Sequence, residues 1–562
     1  MTTLAETLTL APPWVAFLVA AVVVVLVGRR VGQAVATVLT ALTVPWILLA
    51  APGEYLVVFP LGFEQTLYRV DGFTRFVTAV FGFVASAAMV YGAGTGLDRR
   101  ATAYALTYAG ASVAAVLAGD WLTLLMAWEL MAVTATVLVW HHGGDAVRPA
   151  FRYAVYHLVS GVFLSAAVAL QYAATGTFDY DAGLLTGLPL VLAVVGVGVN
   201  LGFVGLHFWI PDTYPRPHVA SSVVLAAFTT KVAVYVLARV APEGSLVVAW
   251  LGGAMVLYGV TQAVLQTDMR RLLSYHIVSQ VGYMVVALGV ASAAGVAGAF
   301  AHLGAHVLYK GLLFVVAGVV VYRTGEESLK RLGGLGRRMP FTFGVFLVAA
   351  LAITGVPGFS GFVSKGLVTK AAETGAPELL WWALVAGSVG TALSFAKFGY
   401  YAFVRAAPGE VPLRPGTPAM VVAMLALAVP SVLFGLFPAL LLGAVPGDPG
   451  SFDPYATSEL LKAGATTLAG VLGFALLRRP LAAVYPVDVD RVLHPAAKGL
   501  AQSASKATIA VGEAGERGVD RLLAGLTPVL GTRDVSTVST VGTTLLVLAG
   551  GLGVALALAL LA

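Results

Sequence analysis

The chain has no cysteine. That excludes an iron–sulfur cluster held by its own thiolates, a CxxCH haem attachment and a disulfide framework. No cofactor is therefore expected in it, and any redox chemistry coupled to it belongs to a neighbour. Charge is nearly as scarce: Asp, Glu, Lys and Arg make up 11 % of 562 residues, far below the roughly one quarter of soluble domains. Alternating segments of strand length are also missing, which argues against a transmembrane barrel. The net charge of +6 is no nucleic-acid signal, because the basic residues sit in short loops between apolar runs, where orientation in a bilayer requires them.

What the chain has instead is 59 % hydrophobic residues, gathered in runs long enough to cross a hydrocarbon core of about 30 Å as helices. The expected fold is an all-α polytopic membrane protein with about sixteen transmembrane helices. The opening MTTLAETLTLAPPW has no basic stretch before its first apolar run, which is read as a retained helix and not a cleaved signal. With the N-terminus outside, the inner loops collect Arg29–Arg30, Arg99–Arg100, Arg148, Arg216, Arg270–Arg271, the 323–338 loop, Arg405, Arg414 and Arg478–Arg479. The outer loops collect TFDYDAG, APEGS and GDPGSFDPY, so the count obeys the positive-inside rule.

Two spans cannot be continuous helices. Segment 341–369 carries Gly355, Pro357, Gly358 and Gly361, and segment 186–209 carries Gly196, Gly198, Gly202 and Gly205 before Pro211. Broken helices at matching places in two halves point to inverted repeats with ion sites near the midplane. The expected organisation is N-terminal helices over 1–100, five-helix repeats over 101–239 and 246–403, and C-terminal helices over 419–477. An amphipathic interfacial segment over 488–528 and a final anchor over 541–561 complete it.

Ionisable residues inside such spans cost about 2.5–3.5 kcal/mol each, so their presence is a functional signal. His302, His306 and Lys310 follow at i, i+4, i+8 and share one helix face. Lysine is scarce, yet Lys231, Lys365 and Lys397 also fall within spans. A lysine can give up its proton where an arginine stays charged, so these positions suit a relay. Glu129 is the acid well inside a span and the natural acid of a proton path; His157, His207 and Lys397 are secondary candidates. The pair His302 and His306 has the spacing of a helical metal pair, but no HExxH glutamate and no cysteine accompany it, so no metal is expected.

LMAWELMAVTATVLV, LHFWIPDTYPRPHVASSVVLAAFTTKVAVYVLAR, QTDMRRLLSYHIVSQVGYM, HLGAHVLYKGLLFVVAG and ITGVPGFSGFVSKGL occur in this order over about 70–405. The chain thereby resembles the antiporter-like proton-translocating membrane subunits: Mrp-type Na⁺/H⁺ antiporter subunits, the antiporter-like subunits of respiratory complex I, and subunits of membrane-bound hydrogenases and inorganic-carbon uptake complexes. The resemblance implies a polar axis at the membrane midplane, with Glu129, Lys231, His306, Lys310 and Lys365 at the family's relay positions. It departs from the family at Asn200, where a lysine usually pairs with the glutamate. Arg152, His157 and His207 are the groups that would remake the pair.

The resulting expectation is a transporter subunit, not an enzyme, resembling the D-type member of a multi-subunit Mrp-type antiporter in a prokaryotic plasma membrane. It would move H⁺ coupled to Na⁺ or K⁺, with other membrane subunits and the bilayer as its partners and no nucleic acid. A proton channel in a complex I-like, hydrogenase or carbon-uptake assembly, and a non-pumping structural subunit, are the alternatives. A forty-residue lateral helix would reach about 60 Å, enough for one neighbour.

Overall fold

The computed structural model describes residues 11–483 and Asp488. Most of segment 488–528 and all of 541–561, the expected interfacial helix and last anchor, lie outside the described residues. In chain order come α1 (Trp14–Val27), α2 (Arg29–Leu49), a hairpin of β1 (Gly53–Val58) and β2 (Gln65–Val70), α3 (Gly72–Thr95), α4 (Arg99–Leu117), α5 (Trp121–Trp140), α6 (Val147–Thr175) and α7 (Gly187–Leu201). There follow α8 (Val219–Ala227), α9 (Thr229–Val240), α10 (Leu246–Leu265), α11 (Met269–Val290), α12 (Ala293–Thr324), α13 (Pro340–Thr354), α14 (Ser360–Gly375), α15 (Glu378–Gly399), α16 (Pro418–Leu436) and α17 (Thr457–Ala483). Among the described residues, 11 helices are long and apolar enough to cross a membrane, and Trp14–Val27, Gly187–Leu201 and Pro340–Thr354 are shorter apolar helices. The count of sixteen is therefore not confirmed.

Short polar residues start the helices. The side chains of Asp71, Asp98, Asp120, Asp268 and Ser292 each accept a backbone N–H in the first turn that follows, which satisfies donors the helix itself cannot. Both expected interruptions are present. Between α7 and the short turn Trp209–Thr213 the chain passes through Gly202 (φ 84°) and Gly205 (φ 95°); between α13 and α14 it passes through Gly355 (φ 83°) and Gly358 (φ 92°). These four need the left-handed region that glycine enters without a Cβ clash.

A third interruption was not expected. The span 219–239 divides at Phe228 into α8 and α9, without proline or glycine. Tyr108 accepts the Thr229 N–H at 3.0 Å, and the Lys231 ammonium donates to the freed Ala226 carbonyl at 2.6 Å. The groups released by the break thus find side-chain partners in place of helical ones.

Two belts of polar contacts mark the two membrane faces. On one, Asp120 accepts from the Thr66 N–H of β2, Arg69 pairs with Asp181 at 3.3 Å, and Asp71 pairs with Arg239 at the end of α9. Burial works against a charged Asp71, but Arg239 and the Thr74 N–H outweigh it and hold the carboxyl below the usual carboxylate range. The hairpin, absent from the sequence reading, thereby gathers loops that the sequence assigns to the outer face. On the other face Arg270 pairs with Glu327 and donates to the Pro217 carbonyl at 2.8 Å, while Arg405 donates to the Leu329 and Leu332 carbonyls. The arginine-rich loops assigned to the inside are thus tied to one another.

Helices α10 and α11 approach through small residues, as helices do where lipid offers no hydrophobic drive. A Cβ on Gly282 would lie 2.6 Å from the Gly252 carbonyl oxygen and 2.8 Å from the Val256 nitrogen. Gly282→Val should therefore destabilise the chain by about 1–3 kcal/mol through overpacking. A thermal-unfolding midpoint in detergent equal to that of the unchanged chain would contradict this contact.

Candidate functional site

The second broken helix, α11 and α12 enclose the site. His302, His306 and Lys310 of α12 are all fully buried, as the i, i+4, i+8 spacing anticipates. His302 lies within a hydrogen-bonded chain: its Nδ1 meets Ser364 Oγ of α14 at 3.0 Å, and its Nε2 meets the Tyr309 hydroxyl at 3.3 Å. That hydroxyl also donates to Gln280 Oε1 of α11 at 3.4 Å. The ring centroids of His302 and His306 are 6.3 Å apart. Neither ring nitrogen of His306 has a hydrogen-bond partner among the described residues. A buried polar group in that position is normally met by an ordered water.

The lysines share one solution to burial: each ammonium donates to a backbone carbonyl. Lys231 reaches Ala226 at the α8–α9 break, with Thr230 Oγ1 at 3.0 Å. Lys365 reaches the Ile353 carbonyl, released where α13 ends, at 2.8 Å, and stands 4.9 Å from the centroid of the Tyr283 ring. Lys310 donates to the Leu273 carbonyl at 3.2 Å. His306 lies within electrostatic reach of Lys231, Lys310, His302 and Lys365. Lys231, His306, Lys310 and Lys365 therefore occupy one electrostatic neighbourhood although they come from three separate spans.

Lys397 is placed differently. Its ammonium caps the end of α10 by donating to the Val264 carbonyl at 2.6 Å and the Gln266 carbonyl at 2.5 Å. His157 stacks on Tyr153 (3.7 Å between ring centroids), and its Nδ1 meets the Tyr153 carbonyl oxygen at 2.8 Å. His207 sits in the first interruption, where its Nδ1 accepts the Gly205 N–H at 3.3 Å and its ring packs against Phe208 and Tyr258. Arg152 pairs with Asp212.

None of these three is hydrogen-bonded to Glu129, whose Oε1 is buried without a partner among the described residues. The expectation that Arg152, His157 or His207 remakes the glutamate's pair is therefore corrected: Asp212 takes the guanidinium, and the imidazoles are engaged elsewhere. Glu129 lies against Gly161 of α6, whose missing side chain leaves room for the carboxylate. It is half-buried, at the edge of a face where Met126, Leu130 and Val133 are exposed. Asn200 is fully buried at the end of α7, and neither its Nδ2 nor its Oδ1 has a partner among the described residues.

Sequence reasoning missed His276 and Gln280 on α11. Both are fully buried; His276 Nε2 meets Ser394 Oγ at 2.8 Å, and Gln280 donates to Thr391 Oγ1 at 3.4 Å. Their i, i+4 spacing in an apolar helix was the available signal, the same one that exposed His302 and His306.

Comparison with known proteins bears on the family and the fold. Residues 118–394 match the family model described as NADH:quinone oxidoreductase/Mrp antiporter, TM. The N-type subunit of the NADH-quinone oxidoreductase of Desulforudis audaxviator is 32 % identical over 420 residues, covering 67 % of this chain and 83 % of that one. The D-type subunit of the Na⁺/H⁺ antiporter of Alkalihalophilus pseudofirmus is 31 % identical over 311 residues, covering 51 % of this chain and 62 % of that one. In fold, the chain is similar to one in the membrane-bound sulfane sulfur reductase, an archaeal respiratory membrane complex (TM-score 0.76, 20 % identity, 96 % of this chain and 100 % of that one). It is also similar to one in the Mrp complex of Dietzia sp. DQ12-45-1b (0.69, 22 %, 84 % and 100 %) and one in respiratory complex I of Thermus thermophilus (0.66, 26 %, 77 % and 100 %).

The two kinds of lysine separate in a stability measurement. Lys397→Met strands the last carbonyls of α10 and should cost about 1–3 kcal/mol of stability. An unchanged unfolding midpoint for this variant would contradict the capping role.

Proposed function

Because the chain belongs to the NADH:quinone oxidoreductase/Mrp antiporter family of membrane subunits, we propose that it is a proton-translocating subunit of the Mrp type, with H⁺ passing along its buried lysines and histidines. It is a multi-pass protein of a prokaryotic plasma membrane, and its relatives are subunits of multi-subunit membrane complexes. The observation that carries the reading is His306, buried between the lysines with both ring nitrogens unpartnered among the described residues.

The path runs from Glu129 through Lys231, His306 and Lys310 to His302 and Lys365. A neutral imidazole accepts a proton on one nitrogen and releases one from the other, which is the chemistry of a shuttle between two amines. Lysine can hold or lose the proton, and the carbonyls at the helix breaks stabilise the charged form. Glu129, at the edge of an exposed apolar face, is the end of the row that a neighbouring membrane subunit would meet. The coupled ion is Na⁺ or K⁺, in the manner of the antiporter relatives.

A second reading has specific support. The relative covered over 83 % of its length is named as a quinone-reductase subunit, and the fold match over 96 % of this chain is to a respiratory complex. In that setting the same row is the proton channel of a redox-driven machine. A third, a structural subunit that does not pump, draws on Asn200, which cannot carry the charge that the family's lysine carries.

Proton pumping by the assembled complex in inverted membrane vesicles tests the proposal. Lys365→Ala or Glu129→Ala should reduce ΔpH formation by about tenfold or more, the scale of losing a positioned proton carrier. Wild-type ΔpH formation in either assembled variant would refute the relay. Asn200→Lys should raise the ions moved per proton if the missing pair limits coupling; an unchanged ratio would mean that Glu129 works without it. Imposing a Na⁺ or K⁺ gradient without respiratory substrate separates antiport from redox-driven pumping.

A further inference from the structure

Helix α17 lies beyond the family-matched segment 118–394, yet its outer end reaches the last lysine of the row. A cavity of about 60 Å³ is lined by Thr354, Gly355, Lys365 and Ser388 on one side and by Glu459 and Lys462 of α17 on the other. A water needs about 10–15 Å³ of such space, so the cavity admits a few. α17 follows the loop GDPGSFDPY, whose lack of basic residues assigns it to the outer face, and ends near Arg478 at the inner one. The cavity therefore lies between Lys365 and the end of α17 assigned to the outer face.

Glu459 is only 7 % exposed. Its Oε1 is 3.1 Å from the Lys462 ammonium, while its Oε2 faces Gly366, the neighbour of Lys365, where a Cβ would stand 3.9 Å away. Lys462 is shared: it also lies 2.9 Å from Oε2 of Glu373, which is more open to solvent and takes Lys370 at 3.2 Å. A cation placed between a buried and an exposed carboxylate can neutralise either. Here the Lys462 ammonium touches both carboxylates at once, so the buried Glu459 has only a share of its counter-charge.

We propose that Glu459 is the outer proton acceptor of the row, with Lys462 as the latch that decides when it accepts. The N–H bond breaks at Lys365, leaving a neutral amine with its lone pair; water in the cavity passes the proton, and an O–H bond forms at the Glu459 carboxylate. That bond then breaks toward outer water, and Lys462 returns to the carboxylate. Glu373 and Lys370 hold the alternative seat of the latch and take no proton in the cycle. This assignment rests on the relay reading above and adds a residue from a helix outside the matched family segment.

The test uses the intact complex in vesicles, with Lys365→Ala as the reference. Glu459→Gln should slow ΔpH formation by about tenfold or more and flatten its dependence on outer pH, and Glu459→Asp should restore most of the rate. A Glu459→Gln complex running at the wild-type rate while Lys365→Ala is inactive overturns the acceptor and leaves the relay standing. Wild-type rate in Lys365→Ala overturns both. If Glu459→Gln fails to assemble, Lys462→Gln serves instead: removing the latch should shift the outer-pH profile, and an unshifted profile overturns the proposal.

Discussion

An ammonium group inside a membrane protein must be met by oxygen, and in an α-helix the carbonyl oxygens are already committed to the chain's own N–H groups. For Lys231 and Lys365 the fold meets this constraint by interrupting a helix, whereas Lys310 takes the Leu273 carbonyl within the continuous α11. Lys365 takes the Ile353 carbonyl left by the end of α13, and Lys231 takes the Ala226 carbonyl left by the break at Phe228. Lys397 uses the end of α10 in the same way. Breaks and lysines are parts of one device: without the break the charge would lack an acceptor, and without the charge the broken helix would leave a carbonyl unsatisfied.

The two halves pair this device with different chemistry. Gly202 and Gly205 open the first half's interruption as Gly355 and Gly358 open the second's. In the first half the carbonyls of α7 near the break take neutral donors: the Trp209 indole reaches Val199 at 2.9 Å, and Ser160 reaches Gly196 at 2.7 Å. Asn200 stands there without a charge, and Asp212 is held by Arg152. The second half keeps its Lys365 ammonium at the break, on the Ile353 carbonyl. The asymmetry gives the row two unlike ends: a lone carboxylate at an exposed apolar face, and a lysine beside the cavity that α17 lines.

Much of this was legible in the sequence because lipid leaves few options. Apolar runs and glycine clusters located the long helices and two breaks, and the i, i+4, i+8 column on α12 announced itself as polar residues in an apolar run. The break at Phe228 was not legible, since its cause is Tyr108 and Lys231 meeting the backbone and no proline or glycine marks it. The hairpin was hidden by its shortness beside long apolar helices. The sequence does not single out Glu459, because its place comes from α17 sharing a cavity with Lys365, a residue distant in the chain. The pairing of Arg152 with Asp212 is likewise a tertiary fact that spacing does not contain.

The claim that joins these parts is that His306 carries protons between the lysines through water, since no protein group among the described residues meets its nitrogens. A high-resolution map of the intact assembly in lipid tests this most directly. Ordered water within hydrogen-bond distance of both His306 nitrogens, continuing toward Lys310 and Lys365, is the predicted result; dry apolar packing around that ring would contradict the account.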